Sequence, residues 1–194
     1  MKKNYKTNIN GETTIVQPLS NNVSHVNILR PSTNNVSNEK GNERKMKWGQ
    51  PIWFLFHTLA EKVKVDDFPY IKKELFNNIV LICKNLPCPT CASHATDFMS
   101  KVNFNVINTK EELKTLLFQF HNVVNHKKGF PIFTRVELDE KYSKAVTMNI
   151  INNFLIHFQN KHRSIQMIAD DMYRQRLSLL LKDWFITNIN KFAN

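Results

Sequence analysis

Three cysteines lie within nine positions of the chain, and two of them, Cys88 and Cys91, form a Cys-Pro-Thr-Cys pair. Two intervening residues bring both sulfurs within bonding reach, so the pair can cycle between a dithiol and a disulfide. A helix is predicted to begin at this pair, where free backbone N–H groups favour a thiolate. Because thiolates attack disulfides through a mixed-disulfide intermediate, the spacing indicates a thiol–disulfide exchange site.

Two segments on either side of this pair, residues 48–57 and 121–125, carry aromatic, imidazole and amide side chains. A Trp and a His on an apolar helix face most often belong to a core. His121, Asn122 and Asn125, however, lie beside a predicted apolar stripe, and buried polar groups cost free energy unless they are hydrogen-bonded. A bound polar cofactor would satisfy them, and two lysines follow directly, with positive charge suited to a phosphate. The three segments together favour a site for a flat aromatic cofactor.

Two other kinds of site fit a CxxC pair. Thioredoxin-like exchange needs a β-strand before the pair, whereas residues 70–85 have a helical period. A structural zinc site could use Cys83, Cys88, Cys91 and His94, although all four ligands would come from one short segment without a second knuckle. A non-catalytic helical interaction module with this zinc site is the alternative function. Outside that alternative, we expect Cys83 to be an inert buried thiol.

The elements that must position these residues are helical. Apolar residues recur at helical spacing along most of the chain beyond residue 50. Proline, glycine and capping signals divide this part into helices at about 51–65, 69–85, from 88 onward, 109–128, 140–161 and 165–192. There is no alternation of strands and helices, and the 4 glycines are few for a sheet-rich fold with many tight turns. The predicted fold class is all-α, a bundle of four or five helices with a helical C-terminal extension.

Composition and charge exclude several classes of protein. Residues 1–45 are rich in Asn, Ser, Thr and Lys, and we expect a disordered polar tail there. The net charge of +11 comes from dispersed Lys and Arg residues, which argues against nucleic-acid binding. The N-terminus lacks the apolar segment of a signal peptide, and no window approaches the roughly 20 apolar residues that cross a bilayer. We therefore expect a soluble cytoplasmic protein that is not secreted and binds no membrane.

The order and spacing of the three segments resemble those of the Erv/ALR family of FAD-linked sulfhydryl oxidases, over about residues 47–135. The family has an opening W-G-x-x-x-W-x-x-x-H, a redox-active C-x-x-C-A-x-H and an H-N-x-V-N segment followed by a proline. In this chain these motifs are matched by Trp48, Gly49, Trp53 and His57, by Cys88, Cys91, Ala92 and His94, and by His121, Asn122, Val124, Asn125 and Pro131.

This resemblance implies a helical bundle that binds FAD, with residues 46–135 as its core, residues 136–194 completing it, and a homodimer as the assembly. It also implies oxidation of protein thiols to disulfides, with electrons passing through FAD to O2 and yielding H2O2. By the resemblance, Cys91 is nearest the isoalloxazine ring and Cys88 is the thiol that exchanges with substrate. The implied FAD-binding residues are Trp48, Gly49, Trp53, His57, His94, His121, Asn122 and Asn125, with Lys127 or Lys128 near the phosphates.

The chain departs from the family pattern at several positions. Phe130 stands where a lysine commonly precedes the proline, Gln50 stands where an arginine is common, and Val63-Lys64 replaces a tyrosine-proline. Many members carry a second cysteine pair that shuttles electrons from substrates, and this chain has no cysteine before Cys83 or after Cys91. A separate thiol protein is therefore expected to deliver electrons directly to the cysteine pair. In this respect the chain resembles the minimal family members of large DNA viruses, which act in the host cytoplasm or the virion. The richness in Asn, Lys and Ile is compatible with an AT-rich viral genome.

The region from about 136 to 194 lies largely outside the resemblance. Its last predicted helix is apolar on nearly every side, from Met167 to Ile189. An apolar helical face normally means burial, so we expect packing onto the bundle or a dimer partner. A docking surface for the thiol partner is the alternative.

Overall fold

The computed structural model describes residues 47–159 and 167–194. All of them belong to one compact unit, Glu43–Asn194. The predicted tail over residues 1–45 lies outside the described residues, as do the end of the fifth predicted helix and the start of the last one. Within the described ranges, no helix is long and apolar enough to cross a bilayer.

The described residues form seven α-helices, which confirms the predicted all-α class. They are α1 Gly49–Lys62, α2 Phe68–Lys84, α3 Pro89–Ser100, α4 Lys110–Lys128, α5 Arg135–Ser143, α6 Thr147–Phe158 and α7 Ile168–Asn188. Short 3₁₀ turns occupy Phe104–Val106 and Ile189–Lys191. The described part contains no β-strand, and only an isolated antiparallel bridge joins Val63 to Phe192.

Local signals explain where the site-bearing helices begin and end. Cys88 is the N-cap of α3, and Pro89 occupies the first turn, where a missing N–H costs nothing. The side chain of Thr109 caps α4 and exchanges hydrogen bonds with Glu112 in a capping box. Gly129 ends α4 at φ 68°, a left-handed conformation that favours glycine. These boundaries agree with those predicted for the third and fourth helices.

The single helix predicted from residue 140 to 161 is wrong, because this region forms two helices. α5 begins earlier, at a capping box in which Thr134 and Glu137 exchange hydrogen bonds. It ends at Ser143, and α6 begins at Thr147, whose hydroxyl donates to the carbonyl of Ala193 at 2.6 Å. Apolar spacing continues across the break, so periodicity alone could not reveal it.

Helix α1 lies at the centre of the fold and packs against α4, α5 and α6, while α2 packs on α3 and α6 on α7. Fully buried side chains such as Leu55, Leu59 and Leu113 form the core between these helices. The Lys114 ammonium joins α4 to both neighbours, at 2.6 Å from a Glu61 oxygen on α1 and 3.0 Å from an Asp139 oxygen on α5. The packing thereby brings the N-terminal half of α1, the start of α3, the second half of α4 and α5 to one region.

Candidate cofactor and thiol site

The two cysteines of the pair occupy different positions at the start of α3. The backbone N–H of Cys91 donates to the sulfur of Cys88 at 3.2 Å, so this free N–H of the helix terminus is directed at Cys88. Both thiols are free and half-buried. Burial, and then a hydrogen bond with Cys88, raises the pKa of the Cys91 thiol to about 11, although the nearby Lys128 charge acts in the opposite direction. The expectation that the helix terminus favours a thiolate is therefore wrong for Cys91, because desolvation outweighs it.

A cavity of about 490 Å³ opens beside the cysteine pair. Apolar and aromatic side chains form most of its wall. The cysteine pair contributes the groups that could react, and two lysines contribute charges that could bind an anion. Among the residues that line it are Trp48, Gly49, Trp53, Phe56, Cys83, Cys88, Cys91, His94, Phe120, Lys127 and Lys128. Eight of the predicted site residues besides Cys83 thus meet at one cavity, although they come from α1, α3 and α4.

A second cavity, of about 750 Å³, adjoins the first. Gly49, Trp53, Val124 and Lys128 line both, so the two spaces meet at the indole of Trp53. The second cavity is also lined by Lys47, Gln50, His121, Asn125, Phe130, Pro131, Phe133, Lys141 and Tyr142. The pair of cavities offers room for an elongated ligand that has flat ring systems and an anionic group.

Two buried histidines form a stack of rings behind Trp53. A hydrogen bond of 3.0 Å joins Nε2 of His57 and Nδ1 of His121. The His121 ring stacks on Trp53 at a centroid distance of 4.0 Å, and the His57 ring stacks on Tyr142 at 4.6 Å. Burial is the main cause that lowers the pKa of His57 to about 3 and the pKa of His121 to about 4. Both rings are therefore neutral at pH 7, and His57 supports His121 rather than lining either large cavity.

The two asparagines hold the loop that follows α4. Asn122 donates to the carbonyl of Phe133 at 2.9 Å and accepts from its N–H at 3.0 Å, and Asn125 donates to the carbonyl of Pro131 at 3.0 Å. Both amides thus have hydrogen-bond partners within the chain, so their burial alone does not require a bound cofactor. Asn125 still lines the second cavity, whereas Asn122 fixes the loop that forms its wall. Their cofactor contacts stay a prediction.

The zinc alternative has no geometric support in the described residues. Nowhere in that part of the chain do three His, Cys, Asp or Glu side chains converge closely enough to hold a metal ion. Cys83 is completely buried at the end of α2, where burial raises the pKa of its thiol to about 12, and His94 is exposed. A buried protonated thiol is a poor metal ligand.

Sequence reasoning missed Lys141 of α5. Its ammonium lies over the rings of Phe54, Phe133 and Tyr142, at 5.4, 5.0 and 5.6 Å from their centroids, and its side chain lines the second cavity. Its charge also contributes to the low pKa of His121. The one sequence feature that pointed to such a cation is Phe130, which stands where the family commonly has a lysine, so that another residue could supply the missing charge. Identifying Lys141 as that residue requires knowing the path of the chain between α4 and α5, which no local pattern predicts.

Comparisons with known proteins match the part of the chain that carries these side chains. The model of the Erv1 / Alr family matches residues 50–143, which span α1 to α5. A relative from fowlpox virus is 30% identical over 79 residues, which are 41% of this chain and 76% of the relative. The chain belongs to the Erv1 / Alr family. The match ends with α5, so α6 and α7 lie beyond it.

Further Erv1 / Alr relatives come from a virus and a plant. The FAD-linked sulfhydryl oxidase of African swine fever virus is 28% identical over 107 residues, which are 54% of this chain and 87% of the viral protein. The FAD-linked sulfhydryl oxidase ERV1 of rice is 27% identical over 100 residues, which are 52% of this chain and 51% of the rice protein. The matched part thus spans about half the length of the rice relative. No solved structure matches the chain.

Proposed function

We propose that this protein is an FAD-dependent thiol oxidase that forms disulfides in partner proteins. The observation that carries the proposal is the cysteine pair in the wall of an aromatic cavity that shares Trp53 with the wall of a second cavity. Membership of the Erv1 / Alr family, and relatives named FAD-linked sulfhydryl oxidases, support the same activity. The competing zinc module explains neither the second cavity nor the stacked rings.

The residues present fit FAD. Its isoalloxazine and adenine rings suit the aromatic walls, and its diphosphate suits a set of cations at the cavities' edges. We propose that Trp48, Gly49, Trp53 and His94 bind it on the cysteine side, with His121 and Asn125 on the other side, and that Lys127, Lys128 and Lys141 hold the phosphates. When bound, FAD supplies the two-electron chemistry that takes electrons from the cysteine pair and delivers them to O2 as H2O2.

The proposed exchange begins with Cys88 and Cys91 joined as a disulfide. A substrate thiolate attacks the Cys88 sulfur, which forms a mixed disulfide and releases the Cys91 thiolate. The second substrate thiolate then attacks the substrate's own sulfur in that bond, which frees Cys88. The substrate is oxidised to a disulfide, and the pair is reduced by two electrons and gains two protons.

The individual roles follow from the environments of the two sulfurs. The N–H of Cys91 already donates to the Cys88 sulfur, which stabilises negative charge developing there when the mixed disulfide is cleaved. At Cys91, the Lys128 charge offsets part of the rise in the thiol pKa that burial causes, which limits the cost of releasing this sulfur as a thiolate in the first step. Cys88 is therefore the proposed substrate-facing sulfur and Cys91 the sulfur that passes electrons on.

The electron donor is proposed to be a separate protein dithiol. Apart from the pair, Cys83 is the chain's one other cysteine, and it is completely buried, so the chain offers no second exchange pair. A partner must therefore bring its thiols directly to Cys88. We further propose that this reaction occurs in the cytoplasm; if the protein is viral, it occurs in the host cytoplasm or in the virion. Residues 46–135 are the proposed catalytic core.

The absorption spectrum of the purified protein tests the proposal, with zinc assayed on the same sample. We expect bound-flavin absorption in the visible range and consumption of O2 when a dithiol such as dithiothreitol is added. A colourless protein that binds no added FAD, and that carries stoichiometric zinc, would show the structural module instead.

A further inference from the structure

Exposed lysines surround the two large cavities beside the cysteine pair. Lys127 and Lys128 line the first cavity, and Lys47, Lys128 and Lys141 line the second. These lysines form what we call the cationic rim. None of the described residues that line either cavity carries a carboxylate. FAD has fewer phosphates than the cavities have lysines, so the rim keeps positive charge when the proposed cofactor is bound.

The first part of α3 adjoins the cationic rim and is almost free of negative charge. His94 follows Cys91 by three residues, and Asp97 follows His94 by three, so these side chains are neighbours on the helix. Asp97 is the one carboxylate of α3, and the Lys101 ammonium lies 2.8 Å from it. The hydrogen bond and charge of Lys101, and then the charge of Lys127, lower the pKa of the Asp97 carboxyl. The acidic group nearest the rim is thus held between two cations.

Neither ion pairing nor helix stability accounts fully for the cationic rim. The carboxylates of α1, α4 and α5 lie around Lys114 and Arg135, and within the described ranges no ion pair joins them to the rim. Lys127 and Lys128 complement the dipole at the end of α4. Lys47, however, stands just before the N-cap of α1, where a cation opposes the helix dipole. A charge placed against the preference of its helix indicates an anionic group that approaches from outside.

We propose that the partner dithiol protein carries acidic side chains around its own cysteine pair, and that the cationic rim recognises them. This inference rests on the proposed oxidase function and names its substrate class. Acidic neighbours raise the pKa of the partner's thiols in solution, and the cations of the rim offset that rise on docking. The contact therefore steers the partner toward Cys88 and favours the thiolate that attacks its sulfur.

Two synthetic peptides test the proposal, each with one Cys-x-x-Cys pair that is flanked either by glutamates or by lysines. Dithiothreitol, which is uncharged, measures the basal activity. The rate of each peptide with the neutral 2-hydroxyethyl disulfide corrects for the different reactivity of their thiols. At low salt, the corrected kcat/KM of the acidic peptide should exceed that of the basic peptide by roughly 10-fold or more. The preference should shrink as salt screens the charges, while the rate with dithiothreitol changes little.

Three variants locate the origin of this preference. Lys101→Glu reverses a charge beside the rim and should lower the preference for the acidic peptide by roughly 5-fold. Asp97→Asn removes the acidic group there and should raise the preference by about 2-fold. The matched control is Lys182→Glu on α7, which changes the net charge as Lys101→Glu does but lines neither cavity, and it should leave the preference as it is. All three should keep the flavin content and the rate with dithiothreitol, which shows that the fold is intact.

The outcomes separate this inference from the proposed function. Oxidation of dithiothreitol with equal use of the two peptides, or with a preference for the basic one, would overturn the inference and leave the oxidase function standing. Equal losses of preference in Lys101→Glu and Lys182→Glu would also overturn it, because the overall charge rather than the rim would then set the preference. A protein that binds no FAD and oxidises no dithiol would overturn the proposed function, and this inference with it.

Discussion

Helices α4 and α7 depart from the usual distribution of side chains in opposite ways. α4 buries polar groups, among them His121 and Asn125, whereas α7 exposes large apolar residues such as Leu179 and Leu180 on its outer face. In α4 the buried groups have partners, since His121 bonds to His57 and Asn125 to the carbonyl of Pro131. In α7 the exposed groups have no cover within the described residues. One helix therefore places its unusual residues inside the fold, and the other places them on its surface.

These two departures predict different effects for substitutions in α4 and in α7. A polar group buried with a partner is costly to remove, because its partner is then left unsatisfied, so changes in α4 should alter flavin binding. An apolar group exposed to water costs little to replace, so changes on the outer face of α7 should leave flavin binding unaltered. Each prediction below tests one side of this division.

The largest effect is expected from Cys91→Ser. Without this sulfur the pair cannot form a disulfide, so dithiol-dependent O2 consumption should fall by roughly 1000-fold or more. FAD should stay bound, because the cysteine is one small part of the cavity wall. The control is Leu180→Lys in α7, which should retain the full rate. Complete retention of activity by Cys91→Ser would contradict the assigned exchange.

His121→Ala should have the next largest effect, and on a different property. It removes the ring that stacks on Trp53 and leaves the buried His57 without its hydrogen-bond partner. The dissociation constant of FAD should rise by roughly 10- to 100-fold, as measured by flavin fluorescence during titration. His126→Ala, on the exposed side of the same helix, is the matched control. Unchanged flavin content in His121→Ala would make this histidine a purely structural residue.

Sequence alone predicts α3 and α4 closely because their signals are local. Proline in the first turn, the Thr109 capping box and Gly129 each act within a few residues, so a short window contains the whole cause. The cysteines come to the start of a helix for the same reason. The motifs also name several of the side chains that line the first cavity, among them Trp53 and both cysteines of the pair.

Contacts between distant segments explain what sequence could not predict. The break between α5 and α6 depends on the bond from Thr147 to Ala193, which are 46 positions apart. The side-chain amides of Asn122 and Asn125 bond to carbonyl groups of the loop after α4, and these same bonds hold the loop in place. The partners of the amides therefore become known only when the path of the loop is known. Val123 belongs to the apolar spacing of α4 and is nevertheless exposed, because none of the described elements packs over that side. Periodicity indicates a face, and only the assembled neighbours decide whether it is covered.

Acidification should weaken the fold through the two stacked histidines. Their pKa values are lowered to about 3 and about 4, so the unfolded chain binds more protons than the folded one as pH falls below 6.5. Their stabilisation is thus present above pH 6.5 and is lost toward pH 4. Between pH 6.5 and 5.5 the free energy of unfolding should drop by about 2 kcal/mol, measured by urea denaturation at one protein concentration.

The histidine origin of this drop is checked with two variants. His121→Phe should reduce the drop by about half, while His126→Ala should leave it as it is. An equal drop in His121→Phe would assign the pH dependence to other groups.

Lys141→Met should produce a smaller loss at the second cavity. The ammonium over three rings is replaced by an apolar chain of similar length, so FAD loses one proposed phosphate contact and the fold keeps most of its packing. The dissociation constant of FAD should rise by roughly 5-fold, and less at high salt, where charge is screened. Lys144→Met, just beyond the end of α5, serves as the control. If the affinity for FAD were unchanged, Lys141 would stabilise the surrounding rings but would not bind the cofactor.

The smallest effect at the flavin site is expected from Leu180→Lys, and it is the sharpest test of the division between the two helices. The side chain is 70% exposed and lines neither cavity, so flavin content and affinity should match those of the natural chain. Visible absorption measures the flavin content, and flavin fluorescence during titration measures the affinity. If this variant lost flavin, the outer face of α7 would be supporting the site. The polar groups buried in α4 and the apolar groups exposed on α7 would then serve one binding site rather than two separate functions.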